Sequence, residues 1–440
     1  MLKSIITLAR VWVRSAERFA LPWSVAEWGK STMSVMNANS ATRMLGISGL
    51  VLAVTPQVAA AQGQATAVTE IRFDLSAVYE DNVARSSDAL AAQRGLANAD
   101  VIIAPTVTLN IARPFGRAAF AVSGSIGYQI HDKNSQLDRE RINLNASIDM
   151  PVGPCRVNPS VGFSRGQSDL SDIVILPTPG IDNIKNVETV QRYGVDIGCG
   201  RDSGLQPFVA VAYEDAANSN ALRERADFDA ITYRAGLRFT SDAVGQISLS
   251  GSRRDTNLSP TALSGPDSTQ SFDRVGAELK RDIGTRITTL ASVGYGRLRS
   301  NNALINEFSG LVWNLDVTAL IGANMRLMLG TGRDVGNSLS SDASSVVSKP
   351  NRIRLEYAFS DRMRFDGGVS LTGRRFGYSV VQPANAILRE NRTLYDARLS
   401  YDIGRRFELR IYGGHERRNA NGTFFDYNAS FVGASFGVRF

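Results

Sequence analysis

One pattern dominates the chain from residue 70 onward and limits what it can fold into. Apolar and polar residues alternate for about ten positions, the pattern breaks, and it starts again. In Glu70–Tyr79, the residues Ile71, Phe73, Leu75, Ala77 and Tyr79 share one parity, against Arg72, Asp74 and Ser76. Ile142, Leu144, Ala146, Ile148 and Met150 alternate with Asn143, Asn145, Ser147 and Asp149. Ile353, Leu355, Tyr357 and Phe359 alternate with Arg352, Arg354 and Glu356. Successive side chains of a strand point to opposite faces, so each segment predicts a strand with one apolar and one polar face.

Eighteen such segments can be counted between residues 70 and 440. An even number suits a closed antiparallel barrel; sixteen is the alternative, because 205–215 and 307–319 alternate poorly. The breaks alternate as well. Arg113-Pro114-Phe115-Gly116, Pro151-Val152-Gly153-Pro154, Ile283-Gly284-Thr285 and Gly404-Arg405 are short and carry the residues of tight hairpin turns. Between the short breaks lie long stretches rich in Asn, Ser, Asp and Arg, such as 80–100, 167–187, 255–269 and 376–390. Short turns at one end and long loops at the other are the layout of a transmembrane β-barrel. A soluble sandwich also alternates along its strands, but nothing in it sorts connections by length. The expected fold class is therefore all-β: an antiparallel transmembrane barrel of about eighteen strands over residues 70–440.

Composition removes the competing classes. With 43% hydrophobic and 21% charged residues, the chain is too apolar for disorder and too charged for a bundle of membrane helices. No stretch approaches the roughly 18 consecutive apolar residues of a spanning helix. The formal net charge is +7, but residues 1–61 contribute six Lys/Arg and two acids, leaving 43 basic against 40 acidic residues, a net of +3. That balance argues against nucleic acid as a partner.

Residues 1–61 read as a leader. Arg43 precedes the apolar run Leu45–Val54, followed by Val58-Ala59-Ala60-Ala61-Gln62. A basic region, a short apolar run and a small-residue cleavage site make residues 33–61 a secretory signal peptide, with a mature start near Gln62 and a short periplasmic N-terminus over 62–69. Met33 and Met36 are natural starts for such a signal, so 1–32 reads as an over-called start or a long leader. Export places the barrel in a bacterial outer membrane, with its lipid as a partner. In the last segment Val432, Ala434, Phe436, Val438 and Phe440 share one parity. A terminal Phe on such a strand resembles the signal by which outer-membrane barrels are handed to their assembly machinery, which makes Phe440 the expected assembly signal.

The apolar faces then meet lipid and the polar faces line the lumen. Arg352, Arg354, Glu356, Arg364 and Asp366 are expected inward from one hairpin, with Asp396, Arg398, Asp402, Arg406, Glu408 and Arg410 from the next. One reading is a cross-strand ion-pair network that stiffens the wall, worth little per pair in wet surroundings. The other is a lumen that guides an anionic solute, suggested by a surplus of inward Arg. Few inward aromatics are evident. Tyr79, Tyr128, Tyr213 and Tyr295 fall near outer strand ends, and Phe239, Tyr357, Phe359 and Phe440 near inner ends, where aromatic girdles belong.

Cys155 and Cys199 fall at the periplasmic rim of adjacent strands. The periplasm is oxidising, so a Cys155–Cys199 disulfide is expected; on the loop-length formula it removes roughly 4 kcal/mol of unfolded-state entropy. Two Cys and two His leave little material for a metal site, and no cofactor is expected. His131 and His415 lie at the rim with no nucleophile motif around them, so the chain does not read as an enzyme.

The first strand ends in Val78-Tyr79-Glu80-Asp81-Asn82-Val83-Ala84-Arg85. This Tyr-acid-Asp-Asn ending, a long loop after it and a series of hairpins resemble the β-barrel porin type 2 family over about residues 70–440. Tyr79, Glu80, Asp81 and Asn82 carry that likeness. Members are often associated with exopolysaccharide production and export, so the resemblance implies an outer-membrane component of such a pathway, with polysaccharide as a partner. A passive diffusion porin for small anionic solutes is the alternative, and a structural or adhesive barrel acting through its loops a second. The bland reading of Asp81 and Asn82 is a loop-anchoring turn. Of the long loops, 167–187, with Pro177, Pro179 and the apolar run Ile173–Leu176, is the best candidate to fold into the lumen.

Overall fold

A computed structural model of the chain describes residues 67–168, 170, 185–220, 223–259, 268–301, 307–336, 343–378, 387–421 and 425–440. The expected leader over 1–61 and most of the 167–187 loop lie outside the described residues. The remainder is one sheet of eighteen antiparallel strands. In chain order these are β1 (Val68–Glu80), β2 (Asp100–Phe115), β3 (Ala118–His131), β4 (Arg139–Val152), β5 (Cys155–Gln167), β6 (Val187–Cys199), β7 (Gly204–Asn218), β8 (Phe228–Ser241) and β9 (Gly245–Leu258). They continue as β10 (Ser268–Ile283), β11 (Ile287–Ser300), β12 (Phe308–Ile321), β13 (Met325–Gly336), β14 (Ala343–Ala358), β15 (Met363–Tyr378), β16 (Arg389–Ile403), β17 (Phe407–Ala420) and β18 (Tyr427–Arg439). Each strand pairs with the next, and β1 pairs with β18 from Arg72↔Arg439 to Glu80↔Phe431. The sheet is therefore a closed barrel with no free edge. A short α-helix, α1 (Asp88–Gln93), sits in the first long loop.

The hydrophobic pattern is inside out compared with a soluble protein. Ile71, Phe73, Leu75, Val161, Tyr193, Leu249, Val275, Ile353, Tyr395 and Phe436 are all exposed on the outer face. All eight residues named for the aromatic girdles are exposed too. In water this would be a costly apolar belt; against lipid tails it is the membrane-facing surface.

Both segments that alternate poorly are strands, and the structure shows why they do. Midway along β7 the inward positions are Phe208, Ala210 and Ala212, between Gln206 and Glu214, and β12 turns Gly310 and Val312 inward before Asn314 and Asp316, so the lumen side is apolar over part of each strand. Several strands also run further than their apolar period. β14 begins at Ala343 instead of 349, and β9 continues to Leu258. At their outer ends both faces become polar: Arg253 and Asp255 pair at 2.8 Å, and Arg299 meets Asp273 at 3.0 Å. The backbone ladder continues above the membrane after the apolar parity has stopped.

Candidate functional site

Two unlike arcs stand out on the inner wall. The first runs from β12 through the closing seam to β1 and is dense with ion pairs. Arg72 reaches Glu408 at 2.7 Å and Asp74 at 2.9 Å. Arg410 bridges Asp74 and Glu408, and Arg439 bridges Glu408 and Asp402. Arg364 joins at Asp402, 3.1 Å away. This chain of charges links β15, β16, β17, β18 and β1. It passes over β18 because Gly437 leaves room: a Cβ there would stand 2.6 Å from Asp74 Oδ1 and 2.7 Å from an Arg72 Nη atom. A parallel group lies further around the arc. Arg354 bridges Asp366 and Asp396, Arg326 meets Glu356 at 3.1 Å, and Arg352 meets Asp316 at 3.1 Å. Towards the outer mouth Glu390 is buried among Arg374, Arg392 and Arg418.

Of the inward charges expected from sequence, these geometries join Arg352, Arg354, Glu356, Arg364, Asp366, Asp396, Asp402, Glu408 and Arg410 to partners of opposite sign. Two differ. Arg398 makes no ion pair among the described residues; its register neighbour Asp366 is taken by Arg354. Arg406 lies in the turn before β17, not on the wall, because the strand begins only at Phe407. The inward arginines of the seam arc are thus mostly neutralised in place by carboxylates, which sequence parity alone could not show.

The second arc, β2 to β5, is largely uncharged at mid-height. Its inward positions are Thr106, Thr108 and Asn110, Ser123 and Ser125, Asn143, Asn145 and Ser147, then Asn158, Ser160 and Ser164. Asn143 and Asn145 are exposed, and the Asn145 amide donates to Asn143 Oδ1 at 2.9 Å. This face offers hydroxyls and amides, which both donate and accept hydrogen bonds.

More aromatic rings face inward than the sequence suggested. Phe208, Phe272, Tyr412 and Phe431 lie against Gly236, Gly296, Gly433 and Gly414 of neighbouring strands, with ring atoms within about 3 Å of where each Cβ would be. Missing side chains let the rings lie along the wall, and parity reading of one strand at a time cannot detect that.

The outer mouth holds the other feature that sequence reading missed. The loop after β1 folds inward. The Asn82 amide donates to Ser86 O at 2.9 Å and Asn428 O at 3.0 Å, and Asp81 Oδ1 accepts the Ser430 N–H. Arg85, at a φ of 46°, donates to Glu80 at 3.1 Å and Glu416 at 2.8 Å. The Tyr427 hydroxyl also donates to Glu416. A left-handed non-glycine residue costs on the order of 1 kcal/mol, which these charged bonds offset. Ser87 then caps α1. Leu90 packs with Val346 and Phe376 of β14 and β15 and with Ile387 and Phe425, while Ala91 and Leu96 pack with Ile102 of β2, Leu137 and Leu170. The loop therefore bridges strands on both sides of the seam and occupies part of the lumen's outer end. Glu80, Asp81 and Asn82 are its anchors; Tyr79 points outward and is exposed. The signal for α1 was present in Ser87 followed by the helix-favouring Asp88-Ala89-Leu90-Ala91-Ala92-Gln93.

The remaining sequence candidates are also placed. Cys155 and Cys199 are direct cross-strand partners and are joined by a disulfide. His131 meets Asp138 at 3.3 Å, and His415 meets Ser430 Oγ at 3.0 Å. Among the described residues no group of three His, Cys, Asp or Glu is arranged to hold a metal ion. Phe440 is exposed at the end of β18, and its N–H donates to Ile71 O.

The sequence model of the family described as "Putative beta-barrel porin 2" matches residues 68–440. Among curated proteins none matches the sequence. Among solved structures, the chain is similar to a BenF-like porin from Pseudomonas fluorescens Pf-5, with 12% identity, a TM-score of 0.47, and 86% of this chain and 100% of that one covered. It is similar to Pseudomonas aeruginosa OccK2 (OpdF), solved in complex with glucuronate, with 11% identity, a TM-score of 0.45 and coverage of 86% and 99%. The P. aeruginosa ferric enterobactin receptor PfeA in complex with BCV-L6 gives 9% identity, a TM-score of 0.45 and coverage of 86% and 82%.

Proposed function

Because the chain belongs to the β-barrel porin 2 family, and so is a porin-like β-barrel of the outer membrane, we propose that the solute it serves is carbohydrate, with surface polysaccharide passing along the lumen. The observation that carries this reading is the hydroxyl- and amide-lined arc from β2 to β5. Sugars present dense hydroxyls, and a wall of Ser, Thr and Asn can exchange hydrogen bonds with them at any rotation and at successive positions along the strand. The inward rings of Phe272, Tyr412 and Phe431 add apolar surface on which the C–H face of a sugar can slide. Under this reading the protein is exported through a cleaved signal peptide over 33–61, is inserted by the barrel-assembly machinery through Phe440, and has lipid and glycan as its partners.

Proteoliposome swelling tests the proposal. Neutral maltooligosaccharides should permeate up to lengths at which a general diffusion pore excludes them. Permeation by small anions, with oligosaccharides excluded from the trisaccharide upward, would favour a passive porin for anionic solutes instead. The specific observation behind that second reading is Arg398, an inward guanidinium without an ion pair among the described residues.

A further inference from the structure

The inner face of β6 to β9 carries a group that neither arc contains. Phe208 of β7 lies over Gly236 of β8, where a Cβ would stand 2.9 Å from Phe208 Cε1. The two inward residues flanking Gly236 on β8 are Arg234 and Arg238. Both guanidinium carbons sit over the Phe208 ring, 5.3 and 5.0 Å from its centroid. The ring is almost fully buried beneath them, at 3% exposure, so it serves as a plate for the two cations and not as a surface for solute.

The bonding of these two arginines differs from that of the seam. Arg238 has a 3.4 Å hydrogen bond to Gln206 Oε1, its Nε is buried without a hydrogen-bond partner, and it makes no ion pair among the described residues. Arg234 donates to Ser250 Oγ at 3.2 Å and stands 3.8 Å from Glu278. The neighbouring Glu214 is occupied by Arg192 and Arg254. Asp196 of β6 lies in register with Ala210 and Arg234 and makes no ion pair with either arginine among the described residues. A guanidinium over an aromatic ring spends no N–H on that contact, and the planar donor fork of arginine matches a planar carboxylate.

We propose that Arg234 and Arg238, set over the Phe208 ring, form a carboxylate-recognition site in the lumen, and that the glycan it takes is acidic, bearing uronate-type carboxylates. The inference rests on the carbohydrate reading above and narrows it. Phe208 and Arg238 lie near the end of the barrel where β7 starts after the short turn, the periplasmic end in this topology. An acidic polymer leaving the cell meets the site early in its passage.

The test is single-channel recording on the full-length protein in a planar bilayer. An oligogalacturonate and a maltooligosaccharide of equal length are added in turn to the periplasmic side. In the wild type the acidic sugar should block at roughly tenfold lower concentration than the neutral one. Arg238→Gln with Arg234→Gln should remove that preference and leave block by the neutral sugar unchanged, which also shows that the barrel has folded. Arg238→Lys, which keeps charge but loses the planar fork, should retain anion selectivity in a salt gradient and lose most of the preference for oligogalacturonate. Equal block by both sugars in the wild type, or an acidic preference that survives the double substitution, overturns the inference alone. Absence of block by either sugar overturns it together with the carbohydrate reading.

Discussion

The seam arc and the β2–β5 arc are built from the same alternation and do opposite things with their inward positions. In the seam arc, Glu408 is buried at 5% exposure and shared by Arg72, Arg410 and Arg439 from three strands. In the other arc, Asn143 and Asn145 stand exposed in the lumen. The difference teaches where this barrel places its stiffness. Closing a sheet requires the first and last strands to find each other across the whole chain, and the charge network lies on that junction. Half-exposed pairs contribute little singly, under about 1 kcal/mol, but the seam charges are interlocked, so removing one strands several. The neutral arc has no such obligations, and its hydrogen-bonding groups remain open to solute.

Three substitutions would sharpen or break that contrast. The largest effect is expected at Glu408→Ala, which removes the carboxylate that Arg72, Arg410 and Arg439 share and leaves the three to Asp74 and Asp402 alone; a loss of about 3 kcal/mol should appear in urea unfolding followed by tryptophan fluorescence. A loss below about 1 kcal/mol would mean that the network is solvated and the arcs are energetically alike. Gly437→Val comes next. Its side chain would push Arg72 and Asp74 off the path over β18, costing roughly 1–2 kcal/mol in the same assay. Addition of 1 M salt should weaken the wild-type seam and leave this variant less affected, because its pairs are already broken. The smallest effect is expected at Asn145→Ala, within about 0.5 kcal/mol of wild type, since the site is exposed and only one side-chain bond is lost. Permeation of neutral oligosaccharides should slow in that variant although its stability does not change.

Much of this was legible in the sequence, for a physical reason. A lipid-facing strand must be apolar on one side, so eighteen strands announce themselves by a period of two. Phe440 and the parity of β18 are visible in the same way. Where both faces are polar, as at Arg253 and Asp255, the period vanishes, and the sequence pattern stops short of the strand end. Pairing across the lumen wall is a property of register: nothing in the order of residues says that Arg354 takes Asp366 and leaves Arg398 aside. The Phe208–Gly236 contact is invisible for the same reason, because it joins parities of two strands. The first loop was hidden differently. Helix α1 is too short to show a helical period, and of its two buried residues, Leu90 and Ala91, Leu90 finds partners on β14 and β15, far along the chain.

The most direct measurement is single-channel conductance of the wild type beside Leu90→Asp, which should lift α1 out of its apolar seat. We expect a steady open channel in the wild type and a larger conductance in the variant, as the first loop leaves the mouth. No conductance from either protein, when both are shown to be folded and inserted, would contradict the central claim that this barrel is a channel.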